Sequence, residues 1–447
     1  MSAPPCRHER LLPWAIILVL LGIYLANGRA LPGADGAAAR YLPLSILCEG
    51  DLDFDELPLG SLRDDGSMRL PYWLLRGRAG HLYPTFGVLP GVLVTPLFAV
   101  ARAVDPVFSY ERVLALGKLG AAWLAAAAGA LLWVPLRARL GLRPALVLVA
   151  VHGLGTSVWS LGSQALWQHT AAAPFLALAL LLAHRPRALH WLGMALGLAV
   201  LCRPSNLLLA LPLVAWVALH HRRSLPGLLA MAAPTAALQI AMNLAFFEHP
   251  LRFGQALVGP VLAASGVAGG AVWGFDPWQQ VAMWLSPSRG LLAFSPVLAL
   301  GLWGLCTSLR RGGDALLRWS LLGVVAVVAL HGLRFDWDGG WGYGYRNTLD
   351  VVPFLVLGVC PVLGRVPRWL FALLFGASVL VQVGGAVRYD IVIWNATHDL
   401  RQDPAAAWRL ADSQPLAVLR DLRWVPFEGQ DLPRRTFEIC PVRQVPP

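Results

Sequence analysis

The chain has 447 residues, of which 57% are hydrophobic and 14% are charged, and its formal net charge is +11. Soluble domains carry about 25% charged residues, so this composition argues against a soluble enzyme. The basic excess does not indicate nucleic-acid binding, because the arginines stand in short clusters between apolar runs, where the positive-inside rule places them. Apolar runs of roughly 17–25 residues recur, which predicts an all-α polytopic membrane protein.

The first predicted element is the apolar run 11–25, which follows Arg7 and Arg10. A secretory signal peptide would end at a small-x-small cleavage site, and no clear one precedes the acidic stretch that comes next. We therefore interpret the run as a retained span with its N-terminus in the cytoplasm.

The first outer loop, 31–85, opens with "LPGADGAAARYLPLSILCEGDLDFDE", which holds six carboxylates directly after the first span. Residues 36–48 predict a short amphipathic helix that lies on the bilayer, and Asp35 stands at its N-cap position. Asp35 is either only a helix cap or a base that accepts a proton from an acceptor hydroxyl or amine.

The segment "EGDLDFDE" alternates acidic and apolar residues. It is either a solvated strand or turn, or a metal or acceptor site, since carboxylates at every second position of an extended segment share one side. After Asp35, the next catalytic candidates are Asp51 and Asp53, followed by Asp55. Asp53 and Asp55 are the metal ligands if a metal is bound.

The loop ends in "GHLYPTFG", where His81 and Tyr83 are candidate substrate-binding residues or members of an interfacial aromatic belt. The next apolar run, 86–104, contains Pro90 and Pro96. If this run and the next one both crossed, the arginine cluster at 137–143 would lie outside. We predict that 86–104 lies in the interface without crossing; the alternative is a true span, with that cluster an exception to the rule.

Placing the basic clusters in the cytoplasm pairs the later apolar runs into spans, and gives about eleven transmembrane helices with the C-terminus outside. After 11–25, the predicted spans are 113–136, 144–162, 168–183, 188–203, 206–220, 227–247, 283–308, 316–333, 349–364 and 369–387. Residues 1–390 form the predicted transmembrane domain. Residues 391–447 are polar and proline-rich, and we predict a small extracytoplasmic appendage.

The predicted outer loops carry the remaining candidate substrate-binding residues, which are His169 in "WQHT", Arg203 in "CRPSN", Arg289 in "SPSRG", and Tyr345 and Arg346 in "GYGYRN". Arginines at an outer face are exceptions to the positive-inside rule. Their planar, forked guanidinium group suits phosphate oxygens. Each arginine alone is either a lipid-headgroup anchor or a ligand, but several at separate span mouths favour a ligand. His169 is either an interfacial histidine or a donor to a phosphate or acceptor.

The sequence contains neither a Walker motif nor a G-x-G-x-x-G after a strand, which argues against consumption of a cytosolic nucleotide. A lipid-linked donor on the outer face would need neither motif. Cys48 and Cys440 both fall outside in this topology, a compartment that permits a disulfide between them.

These segments together resemble the GT-C superfold of integral-membrane glycosyltransferases, especially the bacterial protein-mannosyltransferase and aminoarabinose-transferase types. The similar parts are the apolar first span, then "DGAAARYLPLSIL", "GDLDFDE" and "GHLYPTFGVLPGVLVTPLF", in a layout that covers about 31–390. The resemblance implies a polyprenyl-phosphate sugar donor, an active site in the first outer loop, and inversion at the anomeric carbon. The family often has Asp-Glu before the interfacial helix, whereas here Gly36 follows Asp35, which leaves metal dependence and acceptor type open.

We therefore expect a glycosyltransferase of the bacterial inner membrane that moves a polyprenyl-phosphate-linked sugar to an extracytoplasmic lipid, glycan or protein acceptor. No cofactor is certain, and a divalent cation stays an option. One alternative is a transporter or flippase of lipid-linked sugars, which predicts ionisable residues at the bilayer midplane. Another is a polymerase or ligase of O-antigen type, which depends on a large outer loop late in the chain.

Overall fold

The computed structural model describes residues 7–57, 61–62, 68–264, 272–389 and 393–422. The described residues are mostly helical. The helices are α1 (Arg7–Leu25), α2 (Ala37–Cys48), α3 (Leu89–Val104), α4 (Tyr110–Leu140), α5 (Leu142–Leu154), α6 (Gln168–Ala183), α7 (Leu189–Cys202), α8 (Leu207–His220), α9 (Leu225–Phe247), α10 (Gly254–Ala264), α11 (Pro277–Leu285), α12 (Leu291–Phe294), α13 (Leu298–Thr307), α14 (Ala315–Gly332), α15 (Val352–Gly358), α16 (Arg368–Val387), α17 (Ile393–Thr397) and α18 (Gln414–Arg420). Two antiparallel hairpins lie in the first loop, β1 (Ser61–Leu62) with β2 (Met68–Arg69), and β3 (Leu74–Arg76) with β4 (Leu82–Pro84).

Among the described residues, four helical segments are long and apolar enough to cross a membrane, namely Tyr110–Leu140, Arg222–Phe247, Ala315–Gly332 and Arg368–Val387. Several shorter apolar helices of 10–17 residues accompany them. The chain therefore has the character of an all-helical polytopic membrane protein, while the count of eleven spans stays a prediction.

Three predicted spans are not continuous helices. The run 144–162 is interrupted at 155–157, between α5 and a short π-helical turn, Val158–Gly162. The run 283–308 is divided into α11, α12 and α13, and the run 349–364 begins as a 3-10 turn, Arg346–Val351, before α15. In 283–308 the breaks fall at Ser286-Pro287 and Ser295-Pro296, because proline disfavours the α conformation of the residue before it. A 3-10 turn of this kind commonly starts a helix.

The predicted cytoplasmic loops meet at one end of the molecule. Arg139 Nη1 lies 2.7 Å from Asp314 Oδ2, and Arg139 Nε donates to His184 Nε2 at 2.7 Å. These three residues come from three loops that the basic clusters assigned to the same side. The contacts support the pairing of the spans, and the orientation in the membrane stays a prediction.

The segment 86–104 lies beside the predicted interfacial helix. Arg102 donates to the Leu47 carbonyl of α2, and Gly91 sits so close to Leu42 that an added Cβ would come within 2.9 Å of it. The C-terminal end of α3 is held to the start of α4, where Arg112 Nη2 donates to the Ala101 carbonyl at 2.6 Å. Whether 86–104 crosses the membrane stays a prediction.

The described part of the appendage, 393–422, packs on the helical body. Trp394 and Leu400 share a hydrophobic cluster with Met283 of α11 and Val328 of α14. The predicted boundary at 390 stays a prediction. Cys48 is disulfide-bonded, and its predicted partner Cys440 lies outside the described residues.

Glycine allows close approach of α13 and α15. A Cβ added at Gly301 would come within 2.1 Å of the Leu355 carbonyl oxygen, and small residues at such crossings let membrane helices pack backbone to backbone.

We expect Gly301→Ala to destabilise the protein by about 1–3 kcal/mol, because the backbone at Leu355 has to move. The thermal unfolding midpoint of purified protein in detergent measures this. Gly376→Ala in α16 is the matched control, since nothing lies within 4 Å of its added Cβ. Equal shifts for both variants would contradict the close approach.

Candidate functional site

The predicted outer loops surround one cavity of about 920 Å³. Its wall comes from the first outer loop, the start of α6, the turn between α7 and α8, α10, the end of α14, the loop 334–347 and the described appendage. The polar and aromatic side chains that line it include Asp35, Tyr72, Trp167, Gln168, His169, Arg203, Ser205, Gln255, Trp273, His331, Arg334, Asp336, Arg346 and Arg401.

Asp35 lies at the cavity wall in a 3-10 turn, Ala34–Gly36, directly before α2. It does not cap that helix, because the N-cap residue of α2 is Gly36 and no side chain caps it. The carboxylate instead accepts a hydrogen bond from Tyr72 Oη on Oδ1, and its Oδ2 lies 2.6 Å from Arg346 Nη1. The interpretation of Asp35 as a helix cap is therefore wrong.

The turn that carries Asp35 rests on a buried arginine and an indole. Arg40, only 2% exposed, donates from Nη1 to the Gly33 carbonyl at 2.9 Å. Gly33 itself lies flat against Trp167, where an added Cβ would come within 2.1 Å of the ring. The position of the Asp35 backbone is thus fixed from two sides.

Arg346 opens the 3-10 turn that follows the glycine-rich loop. Gly339, Gly340 and Gly344 all have positive φ angles, which glycine adopts without strain. The guanidinium lies over the Trp167 ring at 5.0 Å from its centroid. Burial alone would lower the pKa of Arg346, but Asp35, Tyr72, Asp336 and Asp338 together outweigh burial and raise that pKa.

Tyr72 completes the contacts of Asp35. Burial, together with the negative charge of Asp35, raises the pKa of Tyr72 well above its usual value. The phenol therefore keeps its proton and donates a hydrogen bond to the carboxylate. Both oxygens of Asp35 are therefore occupied in this arrangement. Sequence reasoning missed Tyr72, because nothing in "LPYW" marks it as the partner of a residue 37 positions earlier.

A second ion pair lines the cavity. Arg334 binds Asp336 through two bonds, Nε to Oδ1 at 2.7 Å and Nη2 to Oδ2 at 3.1 Å. The guanidinium also lies over the Trp273 ring at 5.4 Å. Burial would raise the pKa of Asp336, but Arg334 outweighs it and holds the pKa below its usual value.

Arg203 and His169 share a buried carboxylate behind the cavity wall. Arg203 Nη1 contacts Asp350 Oδ2 and donates to the Asn347 carbonyl at 2.9 Å. His169 Nδ1 lies 3.7 Å from the same Asp350 oxygen, which is beyond hydrogen-bond distance. Arg203 and His169 both line the cavity, so the structure brings these two candidate residues together with Asp35 and Arg346.

Several predicted site residues do not line this cavity among the described residues. Tyr83 stacks on Phe246 at 4.4 Å between ring centroids, and Tyr345 Oη pairs with Ser295 Oγ at 2.8 Å inside the helical body. His81, Asp51, Asp53 and Asp55 form a separate group in the first outer loop.

This acidic group brings possible cation ligands together. One ligand atom from each of Asp53, Asp55 and His81 falls within 4.8 Å of the others, and the same holds for Asp51, Asp53 and Glu56. Carboxylates suit a hard cation, but His81 Nδ1 already lies 2.6 Å from Asp55 Oδ2. A cation here would contact loop side chains and not the cavity.

Arg289 joins two loops to the appendage and is absent from the described cavity wall. It is 3% exposed, and its hydrogen bonds go to the Gly340 and Gly342 carbonyls at 3.1 and 2.8 Å, and to Gln414 and Asn395 side-chain oxygens at 2.7 Å each. Four buried protein oxygens thus enclose its guanidinium, which is the geometry of a structural arginine.

We expect Arg289→Met to lower the free energy of unfolding by at least about 2 kcal/mol, because several buried acceptors lose their donor. Thermal unfolding in detergent measures the loss. Arg409→Met is the control, since Arg409 forms a half-exposed ion pair with Asp403 that contributes little. An unchanged midpoint for Arg289→Met would contradict the structural role.

The cavity wall is cationic. The charged residues that line it are Arg203, Arg334, Arg346 and Arg401 against Asp35 and Asp336. Four guanidinium groups from three separate segments therefore face one space that holds fewer carboxylates. Such a space favours an anion, and phosphate is the anion whose geometry the arginine fork fits.

No family model and no curated protein matches the chain. Solved structures of the Archaeoglobus fulgidus oligosaccharyltransferase are similar: one tethered with an acceptor peptide (12% identity, TM-score 0.48, 91% of this chain), one with Zn and sulfate (14%, 0.46, 93%) and one with an inhibitory peptide and a dolichol-phosphate (13%, 0.37, 95%). The matches cover 55%, 54% and 57% of those chains, so this chain spans little more than half their length.

At these identities and TM-scores, function has to be argued from the side chains of this chain. Besides Tyr72, sequence reasoning missed Arg401, which follows the last predicted span and reaches the cavity. The Arg346 and Arg334 loop carried a visible signal, because "RFDWDGGWGYGYR" combines arginines with glycines at a predicted outer face.

Proposed function

We propose that this protein is a membrane glycosyltransferase that moves a sugar from a polyprenyl-phosphate donor to an extracytoplasmic acceptor, with inversion at the anomeric carbon. The fold would be of the GT-C type, with the cavity on the outer face of a bacterial inner membrane. The acceptor is a lipid, a glycan or a protein.

One observation carries the proposal. Asp35, from the first loop, and Arg346, from a loop 311 residues later, form an ion pair on the wall of the same cavity that Arg203, Arg334 and Arg401 also line. A carboxylate beside several guanidinium groups supplies both parts that the reaction needs, a proton acceptor and a site for the leaving phosphate.

The arginines would bind the donor phosphate. Arg346 stands on the Trp167 ring, and Arg334 lies over Trp273, so both guanidinium planes are oriented by aromatic faces. Preorganised cations stabilise charge that develops on a leaving group, and they do so more strongly in a partly dry site. Arg401 and Arg203 would complete the cationic wall.

In the proposed step, an acceptor hydroxyl or amine attacks the anomeric carbon while its proton passes to Asp35. The bond between the anomeric carbon and the phosphate oxygen breaks, and its electron pair leaves with the polyprenyl phosphate. Because Arg346 holds Asp35 in the resting arrangement, donor phosphate would draw the guanidinium away and expose the carboxylate. Tyr72 would keep the carboxylate oriented.

The proposal is tested by incubating the purified protein in lipid vesicles with radiolabelled polyprenyl-phosphate sugars and a membrane extract as acceptor. Transfer of label into the extract, with stoichiometric release of polyprenyl phosphate, is the expected result. Label that only crosses the bilayer, still attached to its polyprenyl phosphate, would contradict the transferase and support a transporter or flippase.

A further inference from the structure

The cavity contains a second group of polar side chains, apart from the ion pairs. Gln168 and His331 are only 8% and 5% exposed, and both line the cavity together with Ser205. Gln168 Nε2, Ser205 Oγ and both ring nitrogens of His331 have no hydrogen-bond partner among the described residues. Buried polar atoms are nearly always paired, so these atoms point to a ligand that enters the cavity.

These side chains lie on the part of the wall next to the arginines. His331 lies within electrostatic reach of Arg203 and Arg334. Gln168 follows Trp167, which supports Arg346, and its Oε1 accepts a bond from Gln255 Nε2 at 3.2 Å. A ligand group that contacts Gln168 or His331 would therefore be adjacent to a phosphate held by Arg334 and Arg346.

The unpaired atoms belong to uncharged groups and include both hydrogen-bond donors and acceptors. An amide nitrogen donates, a hydroxyl both donates and accepts, and a neutral imidazole offers one donor and one acceptor. The ring hydroxyls of a sugar, which also donate and accept, satisfy such a set. A second phosphate or a carboxylate accepts hydrogen bonds only, so it would leave the acceptor nitrogen of the imidazole without a partner.

A cationic sugar does not fit this wall. Both carboxylates that line the described wall already face an arginine, Asp35 facing Arg346 and Asp336 facing Arg334, and Asp350 behind the wall faces Arg203. In the resting arrangement none of these three is free to bind an ammonium group, and Asp35, once donor phosphate has displaced Arg346, serves the acceptor nucleophile.

We propose that Gln168, Ser205 and His331 form a sugar subsite that takes an uncharged ring and rejects an amino sugar carrying positive charge. The inference rests on the proposed function, because it assigns the sugar of the same phosphate-linked donor. It would distinguish between the two transferase types that the sequence resembles, in favour of a neutral sugar.

The test measures equilibrium binding to the purified full chain in nanodiscs. The probes are bare polyprenyl phosphate and polyprenyl-phosphate mannose, glucose and arabinose. We expect at least one sugar-linked probe to bind about tenfold more tightly than bare polyprenyl phosphate. His331→Leu and Gln168→Leu should each remove most of that difference while leaving the affinity for bare polyprenyl phosphate within about twofold.

His152→Leu and Ser157→Ala are matched controls. His152 and Ser157 are also buried with side-chain atoms that have no partner among the described residues, but they do not line the cavity. These controls should keep the preference for the sugar-linked probe. Equal weakening of bare and sugar-linked probes by the His331 and Gln168 variants would overturn the subsite, and so would a wild type that binds no sugar-linked probe more tightly than the bare one.

A second measurement compares polyprenyl-phosphate arabinose with its 4-amino-4-deoxy counterpart, which differs by one ammonium group. We expect the amino sugar to bind at least about tenfold more weakly at pH 7; equal or tighter binding would overturn the charge argument. These are binding results, so they stand apart from the transfer assay: a chain with the sugar preference but no transfer contradicts the proposed function alone.

Discussion

Asp35→Asn is expected to reduce sugar transfer by about 10²–10⁴-fold, the usual contribution of a general base. The amide can still accept the Tyr72 hydrogen bond, but it cannot take a proton from the acceptor nucleophile. The measurement is the initial rate of label transfer in vesicles with protein levels matched. The thermal unfolding midpoint is followed in parallel, because the substitution leaves the Arg346 charge without its carboxylate.

Asp53→Asn is the matched control for Asp35→Asn, since both lie in the first outer loop but Asp53 is outside the described cavity wall. The control should retain transfer within about threefold. Full retained activity in Asp35→Asn would remove that residue from the mechanism. Loss of activity in Asp53→Asn alone would move the catalytic role to the acidic group and revive the earlier alternative of Asp51 and Asp53.

Arg346→Gln is expected to lower the transfer rate by about 10²–10³-fold and to weaken binding of bare polyprenyl phosphate. The glutamine removes the positive charge that faces Asp35 and that would otherwise meet the leaving phosphate. Arg346→Lys should restore only part of the loss, because an ammonium group cannot reproduce the planar contact with Trp167 together with the bond to Asp35.

Arg388→Gln is the control for Arg346→Gln, because Arg388 pairs with Asp421 outside the described cavity wall. Asp35→Asn and Arg346→Gln should also change the affinity for bare polyprenyl phosphate in opposite directions. Asp35→Asn removes an anion that competes for Arg346, so bare polyprenyl phosphate should bind more tightly, whereas Arg346→Gln should bind it more weakly. Weaker binding in both variants would contradict the release of Asp35 by phosphate.

The sequence by itself determined the class of the protein. Apolar runs determined the helical membrane character, because lipid leaves hydrogen-bonded helices as one of few options for a spanning chain. The arginine clusters placed Arg139, His184 and Asp314 in three loops on one side, and these three residues contact one another in the structure. The same reasoning collected His169, Arg203 and Arg346 on the other side, where they share a cavity with Asp35.

Only the tertiary structure showed which residues of the predicted outer loops contact one another. The sequence offered eight acids in the first loop, and spacing could not show that Asp35 alone among the described ones reaches the cavity while Asp53 and Asp55 turn to His81. Arg289 and Arg346 are both arginines in predicted outer loops, yet Arg289 is enclosed by protein oxygens and Arg346 faces a carboxylate. Periodicity and charge bias act within a few turns of chain, whereas a pairing between residues 35, 72 and 346 depends on how the helices pack.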